Sequence, residues 1–153
     1  RSGRQQLHRI TRLMGLDCGA PLLPPVLEQA RLNGSWYDPG HNGEGYTLEV
    51  LIDGRVLVYW FSFDPQGKRR WFFGVGRIEG SRLVFDDMLT TRGRVFGNGF
   101  APGTVEELPW GTLTLNLSCT GGTATYVSTE GGFGSGVLNV VNLTRMAGFT
   151  CDD

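Results

Sequence analysis

An all-β fold of about eight antiparallel strands in up-and-down order is what this sequence predicts, on three observations. Glycine accounts for 24 of 153 residues and aromatic residues for 11%, a combination suited to short strands and tight turns. From Leu32 onward the apolar residues recur with a period of two rather than 3.6. Turn signals interrupt that alternation at short intervals. Closing such a meander removes its two open edges, so the expected form is a closed barrel, with a two-sheet sandwich as the alternative.

The elements follow in order. Residues 1–31 read as a tail outside the barrel, and 32–153 as the module itself. The first sixteen residues hold Arg1, Arg4, Arg9 and Arg12 with no acid, which superficially resembles a transit peptide. A repeat explains them better. Ile10–Cys18 aligns without gaps on Leu143–Cys151, with Thr, Arg, Gly and Cys coinciding. Residues 1–18 therefore read as the end of a preceding copy, and Ala20–Pro25 as a Pro-rich linker. Within the module, Tyr46, Leu48 and Val50 alternate with polar residues up to Asp53-Gly54, a two-residue hairpin signal. That turn sets Val50 opposite Leu57, Leu48 opposite Tyr59 and Tyr46 opposite Phe61. Asp64–Lys68 turns into a strand that brings Trp71, Phe73 and Val75 to the same face. Glu79-Gly80-Ser81 leads into Leu83–Phe85. Leu113, Leu115 and Leu117 mark a half-buried strand, Gly121-Gly122 turns into 123–129, and Gly134-Ser135-Gly136 into 137–143.

This register assigns functions to faces. Trp36, Tyr46, Tyr59, Phe61, Phe63, Trp71 and Phe73 would share the interior, either filling it or leaving a pocket. In the second case Trp36, Tyr46, Tyr59, Trp71 and Phe73 would stack a sugar or a flat apolar ligand. Val56, Val58 and Trp60, with Leu51, would face outward. An apolar outer strip implies a cover, and Ile10, Leu13 and Leu16 of the tail, or a neighbouring module, are the expected assembly surface. Lys68-Arg69-Arg70 reads as a solvated turn.

Three cysteines, Cys18, Cys119 and Cys151, lack any zinc-ligand spacing. In a meander, strands 112–118 and 137–143 run in the same direction with one strand between them. Their ends share a rim, and the 145–150 segment can cross it, so Cys119–Cys151 is the expected disulfide. Cys18, the positional copy of Cys151, is the competitor. A disulfide and the near absence of Lys (Lys68 alone) point to export, to an extracellular or periplasmic location, with a leader already removed. The sequons at Asn33, Asn116 and Asn142 read as chance. A net charge of −1 gives no general pull toward nucleic acid, and no apolar run reaches the ~18 residues of a membrane helix.

The loop Asp38–Glu44 offers Asp38, Asn42 and Glu44 around two glycines, a weak calcium candidate that lacks the ligand density of a dedicated calcium loop. The simpler reading is a turn whose Asp and Asn cap backbone amides. His41 between two carboxylates could act as a general base, but no nucleophile stands in a matching context. No catalytic residue, metal or other cofactor is expected.

The segment Gly34-Ser35-Trp36-Tyr37-Asp38-Pro39 through Gly43-Glu44-Gly45 is followed by Tyr59-Trp60-Phe61-Ser62-Phe63-Asp64, Gly67 and Trp71. Gly132-Phe133-Gly134-Ser135-Gly136 and the closing Leu143-Thr144-Arg145…Gly148…Cys151 complete the set. Together they resemble an uncharacterised β-rich module of secreted proteobacterial proteins, often present as tandem copies. The resemblance covers nearly all of 32–151 and implies export and modular architecture, but no reaction. Gly34-Ser35-Trp36-Tyr37 is also similar to the first strand of avidin- and lipocalin-type barrels, which supports closure by analogy. The expected function is a non-enzymatic binding or assembly module whose partners are other modules or protein chains, a second copy included. A small-ligand or carbohydrate-binding barrel is the alternative.

Overall fold

The computed structural model describes Thr11, residues 28–93, Gly97, Phe100, residues 102–149 and Cys151. Eight strands follow one another: β1 (Gly34–Tyr37), β2 (Gly45–Val50), β3 (Val56–Phe63), β4 (Arg69–Glu79), β5 (Arg82–Arg92), β6 (Glu106–Leu117), β7 (Gly121–Ser128) and β8 (Ser135–Asn142). Each pairs antiparallel with its sequence neighbour, and β1 pairs with β8, which closes the barrel. The predicted class, strand number, order and closure all hold. The seam is short: Trp36 opposes Asn142 and Tyr37 opposes Val141.

One register differs from the sequence reading, with large consequences. The β2–β3 loop has three residues, Ile52-Asp53-Gly54, not two. Leu51 N–H donates to Arg55 O at 2.8 Å, Gly54 N–H donates to Leu51 O at 2.9 Å, and Gly54 has φ +83°. A type I turn closed by a left-handed glycine produces this geometry. Asp53 stabilises it by accepting from the Arg55 backbone N–H at 3.1 Å. The pairs are therefore Val50–Val56, Leu48–Val58 and Tyr46–Trp60. A slip of one residue turns every side chain of β3 to the other face, and β4 inherits the change. Val56, Val58 and Trp60, expected outside as an assembly strip, are buried in the lumen. Tyr59, Phe61, Phe63, Trp71, Phe73 and Val75, expected inside, lie on the outer face, with Phe61 49% and Val75 46% exposed.

The lumen is packed from its base upward. Leu48, Val50, Val56, Val58, Leu83, Phe85, Leu113, Leu115 and Val140 form one buried cluster. A 3-10 turn, Glu28–Leu32, plugs the base: Ala30 and Leu32 join the cluster, and Gln29 Nε2 donates to Gly80 O at 3.2 Å. Among the described residues the plug is made by Glu28–Leu32. Asn33 Oδ1 accepts from Val50 N–H at 2.6 Å and ties this turn to β2.

Irregular pairing between β5 and β6 changes the phase of both strands. On β5, Leu83 and Phe85 point inward at odd positions, but Met88 and Thr90 at even ones; on β6, Leu113 and Leu115 are joined by Trp110. Gly111 makes this possible at φ +151°, where a Cβ would stand 2.0 Å from Val127 O. Such bulges re-aim side chains, and here the re-aimed one is a tryptophan. Gly111→Ala is expected to destabilise the barrel by several kcal/mol, because both strain and the clash act at once. Urea titration compared with Gly131→Ala, a position with open space around it, measures this.

The expected disulfide is present. Cys119 and Cys151 are bonded with Cα atoms 5.4 Å apart. Arg145 clamps the same corner, donating to Cys151 O at 3.2 Å and Cys119 O at 3.0 Å. Thr144 Oγ1 accepts from Ser35 N–H at 2.9 Å, and Ser35 O receives Leu143 N–H at 2.8 Å, so the closing segment extends the seam. Phe149 packs against the core, whereas Leu143 is 60% exposed.

Candidate functional site

The loops after β1, β3 and β7 surround the other end of the barrel, and there the lumen is not full. A cavity of about 260 Å3 opens at this mouth. Its walls are Trp60, Phe72, Trp110, Tyr126, Phe133 and Leu138, and its rim carries His41, Glu44, Ser62 and Asp64. The rings form one assembly. Trp60 meets Trp110 edge to face at 5.2 Å, Phe72 lies 4.3 Å from Trp110, and Tyr126 is 5.2 Å from Trp60. Tyr46 stacks on Trp60 at 5.2 Å.

Three polar atoms of this assembly, Trp60 Nε1, Trp110 Nε1 and Tyr46 Oη, are buried with no hydrogen-bond partner among the described residues. Leaving a buried donor unmade costs about 1–3 kcal/mol, so these three groups are a concentrated polar cost inside the barrel. Trp36 offers the contrast. It is equally buried, but its Nε1 donates to Leu32 O at 3.0 Å. Burial also pushes the Tyr46 phenol far above its ordinary pKa of 10.0, helped by the nearby Glu44 charge, and keeps it neutral.

Arg70 closes one side of the mouth. It projects inward from β4, its guanidinium over the rings of Phe72 (5.8 Å) and Phe133 (5.6 Å), and pairs with Glu130 at 2.8 Å. Both side chains are mostly covered, at 18% and 23% exposure. This residue was expected in a solvated turn. Glu130→Ala should lower stability by about 1–3 kcal/mol, below the figure for a fully buried pair because water still reaches these groups. The double change Arg70→Met, Glu130→Leu should recover most of that loss in thermal melts.

At the rim, Asp38 Oδ1 accepts from Gly40 N–H at 2.7 Å, and Oδ2 meets His41 Nδ1 at 2.8 Å. The loop of the calcium candidate is thus a capped turn. Among the described residues no three His, Cys, Asp or Glu side chains converge to hold a metal ion. The His41 hydrogen bond and the Gly40 amide hold the Asp38 carboxyl below 3.8, and the Asp38 hydrogen bond holds His41 above 6.5. The signs fix a window. The His41 contribution is complete below pH 6.5 and fades as pH rises through its raised pKa; that of Asp38 is complete above 3.8 and fades as pH falls through its lowered one. An NMR titration should place the His41 midpoint above 6.5, and Asp38→Asn should return it to the ordinary value.

The structure separates the residues grouped by the sequence reading. Trp36 and Tyr46 lie in the lumen; Tyr59, Trp71 and Phe73 lie outside, as a row of rings 5.2–6.5 Å apart. Ile10, Leu13 and Leu16 fall outside the described residues. Thr11 between them does not: its Oγ1 donates to Glu49 Oε2 at 2.7 Å. The mouth residues Trp110, Phe72 and Tyr126 were not singled out from sequence, and Phe133 entered only as part of the Gly132–Gly136 motif. Phe72 would have emerged from the correct β3 register, while Trp110 is hidden by the bulge. No family model, curated protein or solved structure matches the chain. No helix among the described residues is long and apolar enough to cross a membrane.

Proposed function

We propose that this barrel is a non-enzymatic assembly module of an oxidising compartment outside the cytoplasm, and that its contact surface is the outer face of β3 and β4. One observation carries the reading: an exposed aromatic row on a folded surface. Phe61 is 49% exposed, Trp71 39% and Phe63 37%, and a groove of about 530 Å3 runs between them, edged by Arg69 and Gly43. Rings grouped this way with a charged edge have the make-up of an interface core and rim.

The occupant is another copy of the module. Ile10–Cys18 duplicates Leu143–Cys151, which speaks for tandem copies. Thr11, within that segment, already bonds to Glu49, whose strand partner Leu57 points outward from β3 yet is only 6% exposed. Neighbouring copies would bury the remaining rings at about 25 cal/mol per Å2 of apolar surface. The Cys119–Cys151 disulfide supports the compartment. Light scattering coupled to size exclusion is the test. The protein should self-associate with rising concentration, and Phe61→Lys with Trp71→Lys should make it monomeric at an unchanged melting temperature. A wild-type monomer throughout, or variants that still associate, would refute the reading.

A further inference from the structure

The loop between β1 and β2 carries a site of covalent modification: we infer that Asn42 loses its side-chain ammonia without an enzyme and becomes aspartate and isoaspartate. Asparagine is chemically labile where its side-chain carbon can meet the next backbone nitrogen. That meeting needs an amide free to rotate, a following residue with no Cβ in the way, and water. The sequence offers Asn-Gly pairs at Asn33, Asn42 and Asn98, the last outside the described residues. Asn42 and Gly43 are both exposed. The loop is closed around them by His41 N–H donating to Asp38 O at 3.0 Å and Glu44 N–H donating to His41 O at 3.2 Å. Among the described residues, neither the Asn42 side chain nor the Gly43 N–H has a hydrogen bond. Gly43 holds φ +94°, a region that glycine occupies at no steric cost. Asn33-Gly34 is the contrast within the same chain. Asn33 is 1% exposed, and its Oδ1 is held by Val50 N–H at 2.6 Å. Asn116, Asn139 and Asn142 lie in strands and precede Leu117, Val140 and Leu143, whose side chains crowd the attacking nitrogen.

The reaction needs only water and hydroxide. Hydroxide takes the proton of Gly43 N–H, and the nitrogen forms a bond to Asn42 Cγ. The Cγ–Nδ2 bond then breaks, and ammonia leaves with a proton returned from water. The cyclic imide that remains takes up one water molecule. Opening at the side-chain carbonyl gives aspartate; opening at the main-chain carbonyl gives isoaspartate, whose backbone runs through Cβ and Cγ and is one atom longer. In sum, an amide and water become a carboxylate and ammonia, with nothing oxidised or reduced. The new carboxylate arises where the loop passes from the mouth, at His41 and Glu44, to the outer groove, at Gly43.

Peptide mapping of the aged protein is the test. The intact, oxidised chain is incubated at mildly acid and mildly alkaline pH, with and without urea, and its peptides are followed by mass spectrometry. Methyl transfer by a protein isoaspartyl methyltransferase marks the isoaspartate. In the folded protein Asn42 should convert, faster at alkaline pH, and give both products. Asn33 should convert at least about a hundredfold more slowly, because it reacts only in the small fraction of molecules whose barrel has opened. In urea Asn33 should draw level with Asn42, which shows that the fold and not the dipeptide sorts the two. Asn42→Gln should abolish conversion at this position, since the longer side chain closes the ring poorly. The inference is overturned if Asn42 stays intact in the folded protein, or if Asn33 and Asn42 convert there at the same rate.

Discussion

Trp110→Ala is expected to lower the unfolding free energy by about 3–5 kcal/mol, the range for deleting a buried large aromatic side chain. Trp110 is fully buried and touches Trp60, Phe72, Tyr126 and Phe133. Its removal joins the lost volume to the mouth cavity, and its neighbours are held by strands that cannot collapse inward. Domains of this kind have about 5–15 kcal/mol in all, so the variant should sit near its unfolding threshold at 37 °C. The urea midpoint measures the loss. Trp71→Ala is the control: it removes the same side chain from the outer face, where it is 39% exposed, and should cost less than half as much. Equal losses would mean that the lumen stack is not the centre of stability.

Replacing both Cys119 and Cys151 by serine has the second large expected effect. The bond joins positions 32 residues apart, and the loop-closure relation assigns such a span about 3–4 kcal/mol, acting through the unfolded chain. At about 2–4 °C per kcal/mol for a chain of this size, the melting temperature should fall by roughly 6–16 °C. Reductant should produce the same fall in the wild type and none in the double variant. A wild type indifferent to reductant would show that Arg145, which bonds both cysteine carbonyls, holds the corner unaided.

Period-two alternation, glycine turns and sequential pairing are local properties, and for that reason class, order and closure were legible in the sequence. The disulfide was legible too, because a meander fixes which strand ends share a rim. Faces were less so. Asp53-Gly54 fits a two-residue and a three-residue hairpin equally well, and the two differ by one residue of register. Both registers also give apolar faces, since β3 reads Val56-Leu57-Val58-Tyr59-Trp60-Phe61 with no polar residue to mark the solvent side. Only packing decides, and the lumen takes the valines and the tryptophan because Gly74 and Gly76 opposite leave room. A Cβ at Gly76 would meet Phe85 at 2.6 Å. The mouth was hidden for the same reason. Its wall residues come from β3, β4, β6, β7, β8 and the β7–β8 loop, and the Gly111 bulge that turns Trp110 inward has no signature in a run of alternating residues.

The chain enters and leaves the barrel side by side, since the segment after β8 bonds to Ser35 at the start of β1. A pull applied between these points would peel the two-pair seam like a zip, one rung at a time, the weakest way to strain a sheet. The bond at Cys151 changes the path of the force. A pull arriving from beyond that residue passes through sulfur to the β6–β7 turn, and β8 never feels it. Tension then reaches the barrel at the turn joining β6 and β7, two strands paired with each other over seven residues. A reduced module would open under light load; an oxidised one in a row of its fellows would behave as a rigid link.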